Sequence, residues 1–174
     1  MFRKHAVTLS VLLLLVMGQA VRARAADSCQ TVFDAIQKLV ATPSHSYTTS
    51  TAAKGGSPQT GETIMTRGKK YIRANGKWMD SHVTTAEVLD LEKENENSGR
   101  SSCQFVRSES VNGDIASLYH IQRETGNFKE DSQIWISKST GLPLREEQDM
   151  DYGGAIGKRH NSGRFEYGNI QPPM

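Results

Sequence analysis

Short turn signals between β-rich segments are the feature that most restricts the fold of this 174-residue chain. The clearest example lies in 134–147, where the β-rich segment Ile134-Trp135-Ile136 leads into Ser139-Thr140-Gly141 and a second β-rich segment. Gly141 suits the left-handed conformation that a three-residue hairpin loop requires. Pro143 has no N–H, so it belongs at the start of the second strand or at a position without a ladder hydrogen bond. The segment therefore predicts a β-hairpin.

Other turn signals divide most of the remaining chain into short β-rich segments. Asn75-Gly76 and Asn112-Gly113 are the residue pair that most strongly indicates a two-residue hairpin loop. Antiparallel strands joined by such tight turns form a meander. The predicted strands cover residues 46–53, 62–66, 69–74, 77–80, 105–111, 114–123, 132–138 and 163–170, with one more after Gly141.

Two helices are predicted beside the strands. Before Pro43, apolar residues recur at the spacing of one helix face, and Cys29 lies on the same stripe. The stripe consists of Val32, Phe33, Ile36, Leu39 and Val40. Thr84 and Glu87 form a capping-box pattern, which predicts the start of a second helix. We expect this second helix to be short and to give way to a polar loop over 92–99.

The N-terminal segment predicts export. Arg3 and Lys4 precede an apolar run over 7–17, and Ala23-Arg24-Ala25 follows it, the pattern of a secretory signal peptide and its cleavage site. The run is shorter than the roughly twenty residues that a membrane-spanning helix needs, which argues against an uncleaved anchor. A lipid-modified Cys29 is disfavoured by its distance from the run and by Asp27. The sequence therefore predicts a cleaved signal peptide over 1–25 and a single periplasmic domain over 26–174.

Charge and cysteine content restrict the function classes. Cleavage removes four basic residues and no acid, so that 21 Lys and Arg against 19 Asp and Glu become 17 against 19. This balance gives no electrostatic argument for nucleic acid. The sequence has two cysteines, Cys29 and Cys103. In an oxidising compartment we expect them to form a disulfide, the alternative being two separate buried thiols.

The sequence lacks three common catalytic or cofactor-binding motifs. A phosphate-binding loop, a nucleophile elbow and a dinucleotide fingerprint are all absent from it. The histidines of 26–174 are not spaced as metal ligands; they are His45, His82, His120 and His160. We therefore predict a non-enzyme without a metal or another cofactor. The acidic run over 145–151 is expected to place its carboxylates on both faces of a solvated edge strand.

Many positions on the predicted strands are Thr or Ser, so a fully packed sandwich is not expected. Two explanations remain open: a thin sheet that is wet on one face, or a curved sheet around a ligand cavity. Ordinary core is the stronger interpretation of each large side chain taken singly, whereas the set on a curved sheet would line a cavity. The candidates for that lining are Ile64, Ile72, Trp78, Tyr119, Ile134, Ile136, Leu144 and Phe165.

Three segments and the order of the elements resemble the periplasmic outer-membrane lipoprotein carrier-like (LolA/LolB-like) superfamily. The segments are KYIRANGKW at 70–78, WISKSTGLPL at 135–144 and FEYGNIQPP at 165–173. The resemblance implies an α+β fold that is mainly antiparallel β. Its sheet would be a curved, unclosed half-barrel, with the N-terminal helix and the second short helix as a lid. Members of this superfamily carry the acyl chains of lipoproteins across the periplasm, act as sensors or bind other lipids.

Residues and resemblance together predict a periplasmic, non-catalytic binding protein for a hydrophobic ligand, a lipid or an acyl chain, with a role in lipid or lipoprotein trafficking. The alternative is a cell-envelope module that binds another protein and takes no small ligand. The sequence specifies neither the cargo, nor a partner protein, nor the oligomeric state.

Overall fold

A computed structural model describes residues 29–97 and 101–173. The predicted signal peptide over 1–25 lies outside the described residues. Within them, no helix has the length and apolar character needed to cross a membrane.

The fold is built on one antiparallel sheet of nine strands that is not closed into a barrel. Its spatial order is β4-β3-β2-β1-β9-β8-β7-β6-β5. The first and last strands pair at its centre, and β4 and β5 form its two edges. The strands are β1 (Ser44–Ala52), β2 (Gln59–Thr66), β3 (Lys69–Ala74), β4 (Lys77–Thr84), β5 (Ser101–Val111), β6 (Asp114–Thr125), β7 (Phe128–Ser137), β8 (Pro143–Asp151) and β9 (Lys158–Tyr167).

The turn chemistry explains the hairpins. Asn75 and Gly76 have φ of 51° and 76°, and Asn112 and Gly113 have φ of 52° and 88°. Two successive positive φ angles twist a two-residue loop in the same sense as the flanking strands. Gly141, at φ 70°, ends the turn between β7 and β8. The mainly antiparallel, unclosed architecture predicted from the sequence is confirmed.

Within the described residues two helices accompany the sheet, α1 over 29–41 and α2 over Thr85–Asn97. The capping box is present: the Thr84 N–H donates to Glu87 Oε2 at 2.7 Å, and the Glu87 N–H donates to Thr84 Oγ1 at 3.2 Å. The prediction of a polar loop over 92–99 was wrong for 92–97, because Glu and Lys are good helix formers that extend α2. The last strand also differs, beginning at Lys158 instead of Gly163.

Helix α1 packs on one face of the sheet, which we call the helix-covered face. Four residues of its predicted apolar stripe are buried, Val32, Phe33, Leu39 and Val40, and Ile36 is partly buried. Val32 and its neighbour Ala35 are each 2% exposed. These two residues pack against Cys103 of β5, Ile121 of β6 and the Ile134–Ile136 pair of β7. The predicted Cys29–Cys103 disulfide is present, with the two Cα atoms 4.9 Å apart. It fixes α1 to the edge strand β5, and a disulfide is what an oxidising compartment permits.

The second face of the sheet, which we call the opposite face, carries a smaller apolar cluster. Trp135 lies there because neighbouring residues of a strand point to opposite sides. It is 5% exposed and packs with Ala116 and Leu118. Strand β7 therefore contributes to an apolar cluster on each of its two faces.

The disulfide should contribute strongly to stability. It closes a sequence separation of 74 residues, for which the chain-entropy model gives about 4 kcal/mol. We expect the double variant Cys29→Ser/Cys103→Ser to lose about that much free energy of unfolding, measured by urea denaturation. Reduction of the wild type is the control and should give a similar loss. Two titratable thiols in the unfolded, unreduced wild type would contradict the bridge.

Candidate functional site

The space between the two helices and the helix-covered face forms a cavity of about 440 Å³. Its wall is mostly apolar. Helix α1 contributes Ile36, Leu39 and Val40, and α2 contributes Val88 and Leu91; the sheet contributes Met65, Ile121, Phe128, Ile134, Met150 and Phe165. Of these, Leu91 is 58% exposed, so it stands at the mouth of the cavity. The size and the apolar wall are those of a site for a small hydrophobic ligand.

The structure divides the eight predicted lining residues between the two faces. Residues paired across neighbouring strands share a face, and the registers place five of the eight on the helix-covered face: Ile72, Tyr119, Ile134, Ile136 and Phe165. Of these five, Ile134 and Phe165 line the cavity. Tyr119 and Ile136 belong to the core beneath α1, and Ile72 lies on β3, outside the wall.

The other three predicted residues lie on the opposite face. Ile64 pairs with His45, and the ring of Trp78 meets the His45 ring at 5.7 Å between centroids. Leu144 packs against the Trp135 cluster. Simple alternation along β8 would place Leu144 on the same face as Glu146. A register shift opposite Trp135 and Ile136 breaks this alternation, so that Leu144 lies on the opposite face. Ile64, Trp78 and Leu144 therefore do not line the cavity.

A carboxyl group inside the cavity comes from the acidic run over 145–151. The run alternates between faces as predicted, but it is not at an edge: β8 lies between β7 and β9, because β1 and β9 pair and move the edges to β4 and β5. Glu146 consequently points to the helix-covered face and lines the cavity. Its cross-strand partner is Gly163, where a Cβ atom would come within 2.8 Å of Glu146 Cγ and Oε1. The glycine provides the room that this side chain occupies.

The surroundings of Glu146 favour its neutral form. Burial in the cavity raises the pKa of Glu146 to about 7, and the charges of Glu130 and Glu147 act in the same direction. Across 29–97 and 101–173 no hydrogen bond or ion pair of its carboxyl group is found. Burial also raises the pKa of Tyr167, whose hydroxyl donates to the Pro143 carbonyl at 2.5 Å. Glu146 is thus a titratable group with no fixed partner, in a mostly apolar space.

A second charged group closes one end of the cavity. The Arg123 guanidinium lies 3.6 Å from a Glu92 carboxylate oxygen and 3.7 Å from one of Glu130. Glu130 also accepts a hydrogen bond from Ser132 Oγ at 2.8 Å. This end adjoins a larger depression of about 650 Å³, which shares Arg123, Glu130 and Met150 with the cavity and is otherwise lined mainly by charged and polar side chains. The smaller space is the better ligand site because two helices enclose it and its wall is apolar.

The opposite face is polar and ion-paired over β1, β8 and β9. Arg164 lies over the Tyr47 ring at 3.8 Å from its centroid, and Arg145 lies over the Trp135 ring at 4.8 Å. Arg145 also donates to Glu147 at 2.6 Å. The sequence left two explanations open, a sheet that is wet on one face and a curved sheet around a cavity. Each applies in part, because the opposite face is polar over these strands and the helix-covered face bounds a cavity.

Comparison with known proteins gives similarity in structure only. No protein-family model matches the sequence, and no curated protein matches it. Among solved structures, LprF from Mycobacterium bovis is 11% identical with a TM-score of 0.48, over 86% of this chain and 98% of that one. Lipoprotein LppX from Mycobacterium tuberculosis is 10% identical with a TM-score of 0.44, over 83% and 97%. The Pseudomonas aeruginosa MucA/MucB complex gives 12% identity and a TM-score of 0.47, over 84% of this chain and 59% of that one. Scores below 0.5 support no inference about function.

The raised pKa of Glu146 predicts a pH-dependent stability. Folding favours the protonated form of Glu146. The stabilisation that this gives to the folded state is fully present below the ordinary carboxyl pKa of 4.5 and is lost as pH rises through about 7. We expect Glu146→Gln to be more stable than the wild type at pH 8, by up to about 3 kcal/mol, and similar to it near pH 4.5. Urea denaturation of the wild type and of Glu146→Gln at several pH values measures the two free energies of unfolding.

The control for this experiment is Glu94→Gln, which removes the same charge at an exposed position of α2. Its effect should stay within about 0.5 kcal/mol at each pH. Equal pH dependence of stability in the wild type and in Glu146→Gln would contradict the assignment.

Proposed function

We propose that this protein binds a hydrophobic ligand, a lipid or acyl chain, in the cavity between its helices and its sheet, without catalysing a reaction on it. The observation that supports this proposal is the enclosed apolar wall built by α1, α2 and the helix-covered face. A role in lipid or lipoprotein trafficking in the periplasm fits the export signal predicted for 1–25 and the Cys29–Cys103 disulfide.

Burial of an aliphatic chain supplies enough free energy for useful binding. Each buried methylene contributes about 0.8 kcal/mol, so about ten of them contribute about 8 kcal/mol. An association cost of about 4 kcal/mol then leaves an affinity on the order of 1 mM, and about five further buried methylenes bring it into the micromolar range. The cavity volume lies within the range of roughly 300–1,000 Å³ that is usual for ligand sites. No catalytic group is required for such a role.

The position of α2 supports a lid function for this helix. It connects β4 to β5, the two edges of the sheet, and therefore crosses the helix-covered face. Its apolar side is small, with Val88 and Leu91 at the cavity, and the disulfide holds α1, not α2. A helix with little buried surface opens at low cost in free energy, which would admit a chain-like ligand.

A second function is favoured by the exposed edge strand β5. Phe105 and Val106 are 46% and 45% exposed there, beside a register shift between Phe105 and Arg107. An edge strand offers unpaired backbone groups to an added strand. A cell-envelope protein bound along β5, with no small ligand, is therefore the alternative proposal.

The first proposal is tested at the mouth of the cavity. We expect Leu91→Glu to weaken binding of the neutral fluorescent probe N-phenyl-1-naphthylamine on the order of tenfold, because the variant loses apolar contact area and adds a charge. Leu91 is already 58% exposed, so the variant should fold normally. Probe fluorescence during titration gives the affinity; Trp78 and Trp135 lie on the opposite face, so their emission is a poor reporter.

Ile115→Glu is the matched control, since Ile115 is 52% exposed and is not part of the cavity wall. It should bind the probe as the wild type does. Equal loss in both variants, or no saturable binding by the wild type, would argue against the cavity and favour the envelope-protein alternative.

A further inference from the structure

The cavity wall carries more negative than positive charge. Its ionisable side chains, tyrosine apart, are three carboxylates, Glu92, Glu130 and Glu146, and one guanidinium, that of Arg123. An anionic head group drawn into this space would face uncompensated carboxylates, whereas a cation would find a counter-ion. Resting on the proposed function, we propose that the cavity selects amphiphiles whose hydrophobic chain carries an amine or ammonium group, with the Glu146 carboxylate as its counter-ion.

Arg123 does not neutralise Glu146. Its guanidinium lies between Glu92 and Glu130, at 3.6 and 3.7 Å from their oxygens, and only 16% of its side chain is exposed. Glu130 has a second partner in Ser132. Arg123 is therefore already paired with two other carboxylates of the wall. Glu146 lies directly opposite Ile134 and Gly163, and within 29–97 and 101–173 its carboxyl group has no hydrogen bond or ion pair.

The position of Glu146 suits contact with a ligand inside the cavity. Its side chain extends over Gly163, where no other side chain competes for the space. The residues that α1 contributes to the same cavity wall are apolar, among them Ile36, Leu39 and Val40. An aliphatic chain packed against these residues places a cationic substituent within reach of the carboxylate. A charge pair in a partly dry site is worth more than the same pair in water.

Protonation then controls the selectivity. The groups that act on Glu146 are Glu130 on β7 and Glu147 on β8, which both raise its pKa, and Glu146 in turn raises the pKa of Tyr167 on β9. Glu92 on α2 and Arg123 on β6 complete the charged wall, and α1 adds no charge to it. Near pH 8 Glu146 is ionised and attracts a cation, and near pH 5.5 it is neutral. The preference for cations should therefore weaken as pH falls through about 7.

The test compares two amphiphiles with the same twelve-carbon chain. Dodecyltrimethylammonium and dodecyl sulfate keep their charges between pH 5.5 and 8, so any change in preference reports on the protein. Each displaces N-phenyl-1-naphthylamine from the full mature chain, below its micelle-forming concentration. We expect the ammonium compound to displace the probe at about tenfold lower concentration than the sulfate at pH 8, and the ratio to fall towards one at pH 5.5.

The variant Glu146→Gln should abolish both the preference and its pH dependence, and Glu94→Gln should keep both. A ratio near one in the wild type at pH 8, or an unchanged preference in Glu146→Gln, overturns the inference but leaves ligand binding intact. If neither amphiphile nor the probe binds, it is the proposed function itself that fails. Because the wild type alone shows the pH dependence, the inference is testable even if Glu146→Gln does not fold.

Discussion

The packing of α1 on β5, β6 and β7 is the interaction on which the rest of the structure depends. The helix buries Val32 and Ala35 against Cys103, Ile121, Ile134 and Ile136, and the Cys29–Cys103 bridge fixes it to an edge of the sheet. Because α1 is held over β5, β6 and β7, it leaves the rest of the helix-covered face, among the described residues, without a helix of its own packed directly on it. The space that remains beside α1 is bounded by α2, β8 and β9, and it is the cavity.

The pairing of β1 with β9 determines the chemistry of that space. It joins two meanders, β1–β4 and β5–β9, into one sheet and makes β8 an interior strand. An acidic strand at an edge would be solvated on both faces. As an interior strand, β8 instead sends Glu147 to the ion-paired face and Glu146 to the cavity. The same connectivity requires α2 to pass from one edge of the sheet to the other, across the cavity.

Local signals in the sequence were sufficient for the elements but not for their long-range pairing. The Asn-Gly turns, the stripe of α1 and the Thr84/Glu87 box are local patterns, and each has the predicted structure. The faces of Ile64, Trp78 and Leu144 depend on the register between strands, and Leu144 also on a bulge. The roles of Glu92, Arg123 and Glu146 follow from contacts between residues far apart in the sequence. Gly163 opposite an acidic strand was the one local hint, and it has meaning only once β8 and β9 are known to pair.

The most direct test of the central claim is photo-crosslinking of the mature protein with a neutral long-chain alkyl diazirine, followed by mass spectrometry of the labelled peptides. If the space between the helices and the sheet holds an aliphatic chain, the label should appear on the peptides that carry Leu91, Phe128 and Met150, and a tight-binding amphiphile should prevent it. Labelling concentrated at Trp135 and Leu144 on the opposite face, or at Phe105 and Val106 on the β5 edge, would contradict the claim.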